Sequence, residues 1–268
     1  MKILAIDTSG VHACAAIVDN YIVIGEIMLN ARTGEKSWAH SEILMPGVDQ
    51  LFKLTGINSS DLDYIAYTAG PGSFTGLRIG ASCALGLAKG INRPTIAVPT
   101  LDSLAYNMQG VGCNNLIIPM MDARRGQVYS ALYRRDEMGK VTRITDYLAL
   151  PVEELLDFCS SEFNADSCSE PHFVDIPDQD RKYARACTSI SQSQDNIPIF
   201  LGDGACAYKE VITSILPRVI FAPPNNNRQR ASSAAIWALE QISAGFTPGD
   251  NVEIMYVRAP QAVRDKQI

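Results

Sequence analysis

Two stretches of this chain can be laid over one another without a gap, Asp7–Val18 and Asp122–Tyr133. Small Ala16 then meets Ala131, and apolar Ile17 and Val18 meet Leu132 and Tyr133. Each stretch follows a short apolar run that ends in its aspartate, Ile3–Asp7 in the first half and Ile117–Met121 with Asp122 in the second. Such runs read as buried strands. In the first half Thr8-Ser9-Gly10 makes a turn, Ala13–Val18 a second strand, and Asp19-Asn20 a two-residue hairpin turn into Tyr21–Met28. Ser37 suits the N-cap of a helix from Trp38 to about Leu54, with Gly56 just past its end. Then come a strand at Tyr64–Thr68, the turn Gly70-Pro71-Gly72, a helix from Thr75 to Lys89 ended by Gly90, a strand at Thr95–Val98, and a helix begun by Pro99-Thr100.

The second half repeats that order. A turn at Gly126 leads to Val128–Tyr133, and Val141–Leu148 is the third strand. Pro151, Glu153 and Glu154 open a helix. Ile197–Leu201 runs into Gly202-Asp203-Gly204 and a helix to about Leu216, and Val219–Ala222 precedes the last, strongly apolar helix, Ala231–Ala244. One Gly-x-Gly is common punctuation. The same order in both halves points to an internal duplication. The second half is longer, and its excess lies in about 160–196, a polar segment that reads as a surface insertion. The expected fold is α/β: two duplicated actin-like (ribonuclease-H-like, ASKHA) domains with mixed sheets and flanking helices. The domains are expected at 1–108 and at 109–268, with the final helix able to pack back on the first. This is the plan of the actin-like ATPases and sugar kinases, and it sets the fold without setting an activity.

In that architecture a carboxylate at the end of the first strand can orient a metal-bound water, and backbone N–H groups of the hairpin can cradle phosphate. Asp7, Thr8 and Ser9 would suit those tasks. They would equally suit a turn capped by its own side chains, and no Lys or second acid accompanies them. Gly70 and Gly72, like Gly202 and Gly204, stand between a strand and a helix N-terminus, where free N–H groups favour anions. Neither turn has the Gly-Lys-Ser/Thr of a phosphate-binding loop.

The helix after Gly72 carries Gly76, Gly80, Ala84 and Ala88 at intervals of four, a nearly bare stripe, while Leu77, Ile79, Leu85 and Leu87 make much of its remaining surface apolar. Glycine costs a helix about 1 kcal/mol against alanine, so two of them imply close approach of something. Periodicity alone leaves two readings open: the stripe packs on the domain's own sheet, or the helix is shared with a partner.

Other chemistries fit poorly. His12, His40 and His172 are far apart in sequence and form no His-Glu-x-x-His, and there is no Gly-x-Ser-x-Gly. Seven scattered cysteines without a Cys-x-x-Cys pair suit a reducing cytosol better than disulfides or zinc. With 23 Lys and Arg against 29 Asp and Glu the net charge is −6, so a basic nucleic-acid grip is not the default. The apolar run after Lys2 is too short for a secretory signal, and no run is long enough to span a membrane. A cytoplasmic protein is expected, with no metal site and no cofactor of its own.

Several segments together resemble one family, the TsaB (YeaZ) subunits: Ile3–Ser9, His40–Glu42 with Leu44 and Pro46, Ala69–Gly80 (AGPGSFTGLRIG), Met121–Tyr133 (MDARRGQVYSALY), Gly202–Ala205, and Tyr256–Arg258 with Pro260. The resemblance implies a non-catalytic scaffold and activator in the transfer of threonylcarbamoyl to the adenosine beside the anticodon of tRNA. It implies a catalytic TsaD subunit and an ATP-hydrolysing TsaE subunit as partners, a homodimer when the chain is alone, no membrane, and tRNA contact only through the complex. It further implies a partner surface on the helices around His40–Leu54 and Thr75–Lys89, carried by His40, Ser41, Glu42, Leu44, Ser73, Thr75, Gly76, Arg78, Gly80, Cys83 and Ala84. In the catalytic subunit a metal-binding His-x-x-x-His follows the strand equivalent to Thr95–Val98. By that alignment Thr100 and Leu104 stand in place of the imidazoles, and neither is a metal ligand. An actin-like ATPase or kinase using Asp7, Asp122 and the two Gly turns is the alternative reading, and a metallopeptidase a more distant one.

Overall fold

The structure, a computed structural model, describes residues 1–30, 32–33, 36–37, 40–109, 116–136, 139–164, 197–249 and 254–257. It divides into two compact units, Met1–Asn107 with Arg228–Ile268, and Met108–Asn227. Residues 228–268, counted with the second half by sequence, thus group with the first unit.

In the first unit β1 (Lys2–Asp7), β2 (His12–Asp19) and β3 (Ile22–Asn30) form an antiparallel meander. β2 and β3 are joined by Asn20 and Tyr21, both at positive φ (45° and 69°), a geometry that matches the right-handed twist of the flanking strands. The turn falls one residue later than expected, because Asp19 is held in the strand by the N-terminal ammonium at 3.3 Å and Lys2 Nζ at 3.1 Å. The short pair β4 (Arg32–Thr33) and β5 (Lys36–Ser37) follows, so Ser37 belongs to a strand and α1 begins at His40, running to Thr55. Trp38 lies outside the described residues. A 3₁₀ turn (Ser59–Asp61) leads to β6 (Tyr64–Gly70), α2 (Phe74–Ile91), β7 (Thr95–Pro99) and α3 (Thr100–Tyr106). Gly90 does not end α2; Asn92 does, in the left-handed conformation that asparagine tolerates (φ 52°).

The sheet order is β3-β2-β1-β6-β7, with β1, β6 and β7 parallel. β1 is buried on both faces, so it reads as an unbroken apolar run. Leu4 and Ile6 point into a core shared with Leu44, Val48 and Leu51 of α1 and Ala81 and Ala84 of α2.

The second unit repeats the order with breaks. β8 (Leu116–Arg124) pairs first with β9 (Gln127–Ser130) and then with β10 (Tyr133–Arg135). The strand expected at Val128–Tyr133 is therefore interrupted at Ala131-Leu132, where Leu132 N–H donates to Thr145 Oγ1 at 2.9 Å and Leu132 O accepts from Ile144 N at 2.8 Å. The third strand is split likewise into β11 (Val141–Arg143) and β12 (Leu148–Pro151). After α4 (Val152–Asn164) the chain re-emerges at β13 (Ile199–Leu201), α5 (Asp203–Ala207), α6 (Lys209–Ile215) and β14 (Ile220–Phe221). The path β11-β10-β8-β13-β14 matches the first sheet strand for strand, with β13 parallel to β8 and β14. The insertion expected at 160–196 falls outside the described residues from 165 onward.

The chain then returns to the first unit with α7 (Ala231–Ser243), which covers the sheet face opposite α1 and α2. Its Ala231, Ala234, Ala235, Ala238 and Leu239 pack on Ile3, Ala5, Cys14, Ala16 and Val98. Alanine at that spacing lets the helix lie close to the strands. The entry to α7 is fixed from β3: Glu26 Oε1 accepts from Ser232 N (3.0 Å) and Oγ (2.7 Å), and Glu26 Oε2 from Arg230 Nη2 (2.6 Å). Asn107, the last residue before the chain leaves the unit, donates through Nδ2 to the carbonyl of Arg228, the first residue after it returns, at 2.6 Å.

Candidate functional site

β1 and β6 are adjacent and parallel, so the turns at their C-terminal ends meet. Asp7 is buried there (1 % exposed). Its Oδ1 accepts from Ser9 N (2.9 Å), Ser9 Oγ (2.6 Å) and Thr68 Oγ1 (3.1 Å). Burial pushes the carboxyl up, and the Ser9 and Thr68 hydrogen bonds and nearby His40 pull it back. Among the described residues Asp7 Oδ2 has no partner. Thr8 and Ser9 are equally buried, and their groups are engaged by the opposite turn. Thr8 Oγ1 donates to Gly76 O at 2.7 Å, and Ser73 N–H donates to Ser9 O at 2.7 Å.

This contact accounts for the glycines of GPGSFTGLRIG. A Cβ on Gly72 would stand 2.6 Å from Ser9 O, and Cβ atoms on Gly76 and Gly80 would run into the carbonyl and hydroxyl of Thr8. At Gly70, where φ is 119°, a Cβ would strike the carbonyl of Met255. Ser73 caps α2, its Oγ accepting from Gly76 N at 3.2 Å. The carbonyl of Ser9 thus takes a helix N-terminal donor that a phosphate would need. Of the residues expected at a nucleotide site, Thr8, Ser9, Gly70 and Gly72 are turned to their own chain, and Asp7 is through Oδ1. In the second unit Gly202 N donates to Asn227 Oδ1 at 2.9 Å, and a Cβ on Gly204 would stand 3.0–3.1 Å from the backbone of Met120–Asp122. Asp203 Oδ1 accepts from Asp122 N (3.2 Å) and Gly204 N (3.0 Å), and burial raises its carboxyl. Gly204 too serves close packing of turn on strand.

The small-residue stripe therefore faces inward. Leu44, Gly76, Gly80 and Ala84, expected at a partner surface, are buried in their own unit, because Thr8 and the sheet fill the space over the stripe. The opposite side of α2 is open. Ser73, Thr75 and Arg78 are exposed, Cys83 is half-buried, and Ser41 and Glu42 are exposed at the start of α1 beside the half-buried His40. Between the helices lies a shallow hollow of ≈ 450 Å³ lined by Ser41, Phe74, Thr75, Arg78, Ile79, Ser82 and Cys83. At its rim Phe74 is 41 % exposed, the Arg78 guanidinium lies 3.8 Å above its ring, and Tyr256 stands against both. The two rings are 5.6 Å apart and Arg78 Nε donates to Tyr256 Oη at 3.3 Å. Phe74, Ile79, Ser82 and Tyr256 were not expected here. Tyr256 is distant in sequence, and the helical period gives a face without saying which side is covered.

Thr100, which opens α3, and Leu104, one turn further on, are both fully buried. Among the described residues no three His, Cys, Asp or Glu side chains are placed to hold a metal. His12 has Arg228 Nη1 3.2 Å from its Nε2, and burial lowers its pKa; His172 lies outside the described residues. No helix among the described residues is long and apolar enough to cross a membrane.

Residues 34–232 match the family described as TsaD, tRNA N6-adenosine threonylcarbamoyltransferase. The chain is 37 % identical over 139 residues to the tRNA threonylcarbamoyladenosine biosynthesis protein TsaB of Escherichia coli K12, covering 52 % of this chain and 58 % of that one. It is 40 % identical over 134 residues to TsaB of Bacillus subtilis 168, covering 50 % and 56 %. The matched part thus spans little more than half the length of these relatives. The structure of YeaZ from Pseudomonas aeruginosa shares the fold, with a TM-score of 0.67 at 21 % identity over 96 % of this chain and 99 % of that one. A second Pseudomonas aeruginosa structure, described as similar to peptidase YEAZ, superposes with a TM-score of 0.68. With an actin-like duplicated fold and a family match covering most of its length, this chain belongs to the TsaD-type family and, within it, to the TsaB/YeaZ group.

Proposed function

We propose that this chain is a non-catalytic scaffold and activator in the synthesis of tRNA threonylcarbamoyladenosine, and that it works by binding a catalytic TsaD subunit. The observation that carries the reading is the open face of α2: Phe74, Arg78 and Tyr256, an exposed aromatic–guanidinium cluster beside an apolar hollow. Aromatic and arginine anchors of this kind dominate the energetics of protein interfaces. His40, Ser41, Glu42, Ser73, Thr75, Arg78 and Cys83 make up the rest of the docking surface. Its counterpart is TsaD, the same face pairs two copies when TsaD is absent, and a TsaE subunit joins the assembly; the setting is the cytoplasm, with tRNA met through the complex. A transferase or peptidase activity of its own is disfavoured by Thr100 and Leu104, whose buried hydroxyl and alkyl group offer no metal ligand.

The test is reconstitution. Purified chain and TsaD are expected to form a stable complex that modifies tRNA, while the chain alone transfers no threonylcarbamoyl. Arg78→Glu is expected to abolish the complex. Transfer by the chain alone, or a normal complex with Arg78→Glu, would overturn the reading.

A further inference from the structure

The segment Ile254–Val257 is laid over the start of α2 by contacts independent of any partner. Met255 N–H donates to Ala69 O at 2.7 Å, at the end of β6, and Ile254 packs against the core shared by α1 and α2. Upstream, Gly249 bridges to Thr95 on β7, with Thr95 Oγ1 donating to Gly249 O at 3.0 Å. The seat is matched by the turn beneath it, since Gly70 lacks the Cβ that would collide with the Met255 carbonyl. Tyr256 is thereby delivered to Phe74 and Arg78, more than 170 residues away in the chain.

We propose that this segment is a strap whose seating assembles the docking face, with Tyr256 as a positioning residue that sets Arg78 and Phe74. The proposal rests on the partner reading above. Without Tyr256, Arg78 keeps, among the described residues, only the Phe74 ring to order it, and two flexible side chains would have to be fixed at the moment of binding. With the strap seated they are ordered beforehand. Linkage then requires the reverse: a partner that binds the seated form better must hold the strap down by the same factor.

The experiment uses full-length chain and measures affinity for TsaD by calorimetry, alongside hydrogen exchange of the unmodified chain. Phe74→Ala is expected to weaken binding at least about tenfold, as truncation of an aromatic anchor does. Met255→Pro, which removes the donor to Ala69 and leaves α2 intact, is expected to weaken it by about as much, and so is Tyr256→Ala. Tyr256→Phe keeps the ring and should restore most of the affinity. TsaD should slow exchange of the Met255 amide, a readout that needs no variant and that a purely structural strap would not move. If Met255→Pro and Tyr256→Ala bind normally while Phe74→Ala does not, the strap is wrong and the docking face stands. Should Phe74→Ala also bind normally, the docking face falls with it.

Discussion

The hydroxyl of Thr8 donates to the carbonyl of Gly76, and the carbonyl of the same threonine occupies the place where a side chain on Gly76 would begin. One residue at the end of β1 thus fixes both the position of α2 and the composition of its inner face.

Four glycines of α2 should consequently divide into two pairs. Gly76→Ala and Gly80→Ala force a methyl into Thr8 and are expected to destabilise the chain by about 1–3 kcal/mol, the usual cost of overpacking. A Cβ on Gly86 or Gly90 would meet nothing within 4 Å beyond the helix's own backbone, among the described residues. There alanine should stabilise by about 0.5–1 kcal/mol through helix propensity. Urea unfolding of the four variants checks the opposite signs.

Glu26 organises the start of α7 with both oxygens, and removing it leaves the Ser232 amide and the Arg230 guanidinium without their acceptor. Glu26→Ala is expected to lower stability by about 2–3 kcal/mol, below the range for breaking a fully buried pair because Arg230 is partly exposed. Ser232→Ala should cost about 1 kcal/mol. Denaturant midpoints, with the slope unchanged, would verify both.

The Asp7 carboxyl is raised by burial, so its charged form is disfavoured in the folded chain. Its contribution to stability is most favourable below the unfolded carboxyl range and is lost as pH rises through the raised folded value. Asp7→Asn retains an acceptor for Ser9 and Thr68 while carrying no charge. This variant should melt higher than the parent at pH 8, with the gap closing toward pH 4. A gap that widens on acidification would contradict the assignment of burial as the dominant cause.

Cys83 opens into the hollow on α2, whereas Cys206 is exposed on the other unit. Partial burial raises the Cys83 thiol, so its alkylation should be slow at pH 7 and quicken toward pH 9. Adding TsaD should slow modification of Cys83 at least about fivefold and leave Cys206 unchanged, as read by peptide mass mapping.

How much of this was legible in the sequence depended on whether the deciding neighbour was local. β1 and β6 could be read because strands buried on both faces are apolar throughout, and the duplicated order survives in both sheets. The break at Ala131-Leu132 could not, since the group that takes over the Leu132 amide is a threonine hydroxyl thirteen residues on. The helical period placed Gly76, Gly80 and Ala84 on one side of α2 but was silent about the cover. Thr8 supplies it, from a turn whose own residues read ambiguously as cap or phosphate site. Tyr256 was visible only as part of a motif, because its seat is made by Ala69 and Gly70.

The return of the chain at Arg228 bears on the order in which the protein can be made. The second unit is one unbroken stretch, Met108–Asn227, whereas the first is split around it. During synthesis the face of β1, β2, β6 and β7 that α7 will cover is complete in sequence long before α7 leaves the ribosome. Ile3, Ala5, Ala16 and Val98 therefore wait, uncovered, through the whole translation of the second unit. The nascent chain is most exposed to misassociation in that interval, which closes when Glu26 catches Ser232 and Asn107 meets Arg228.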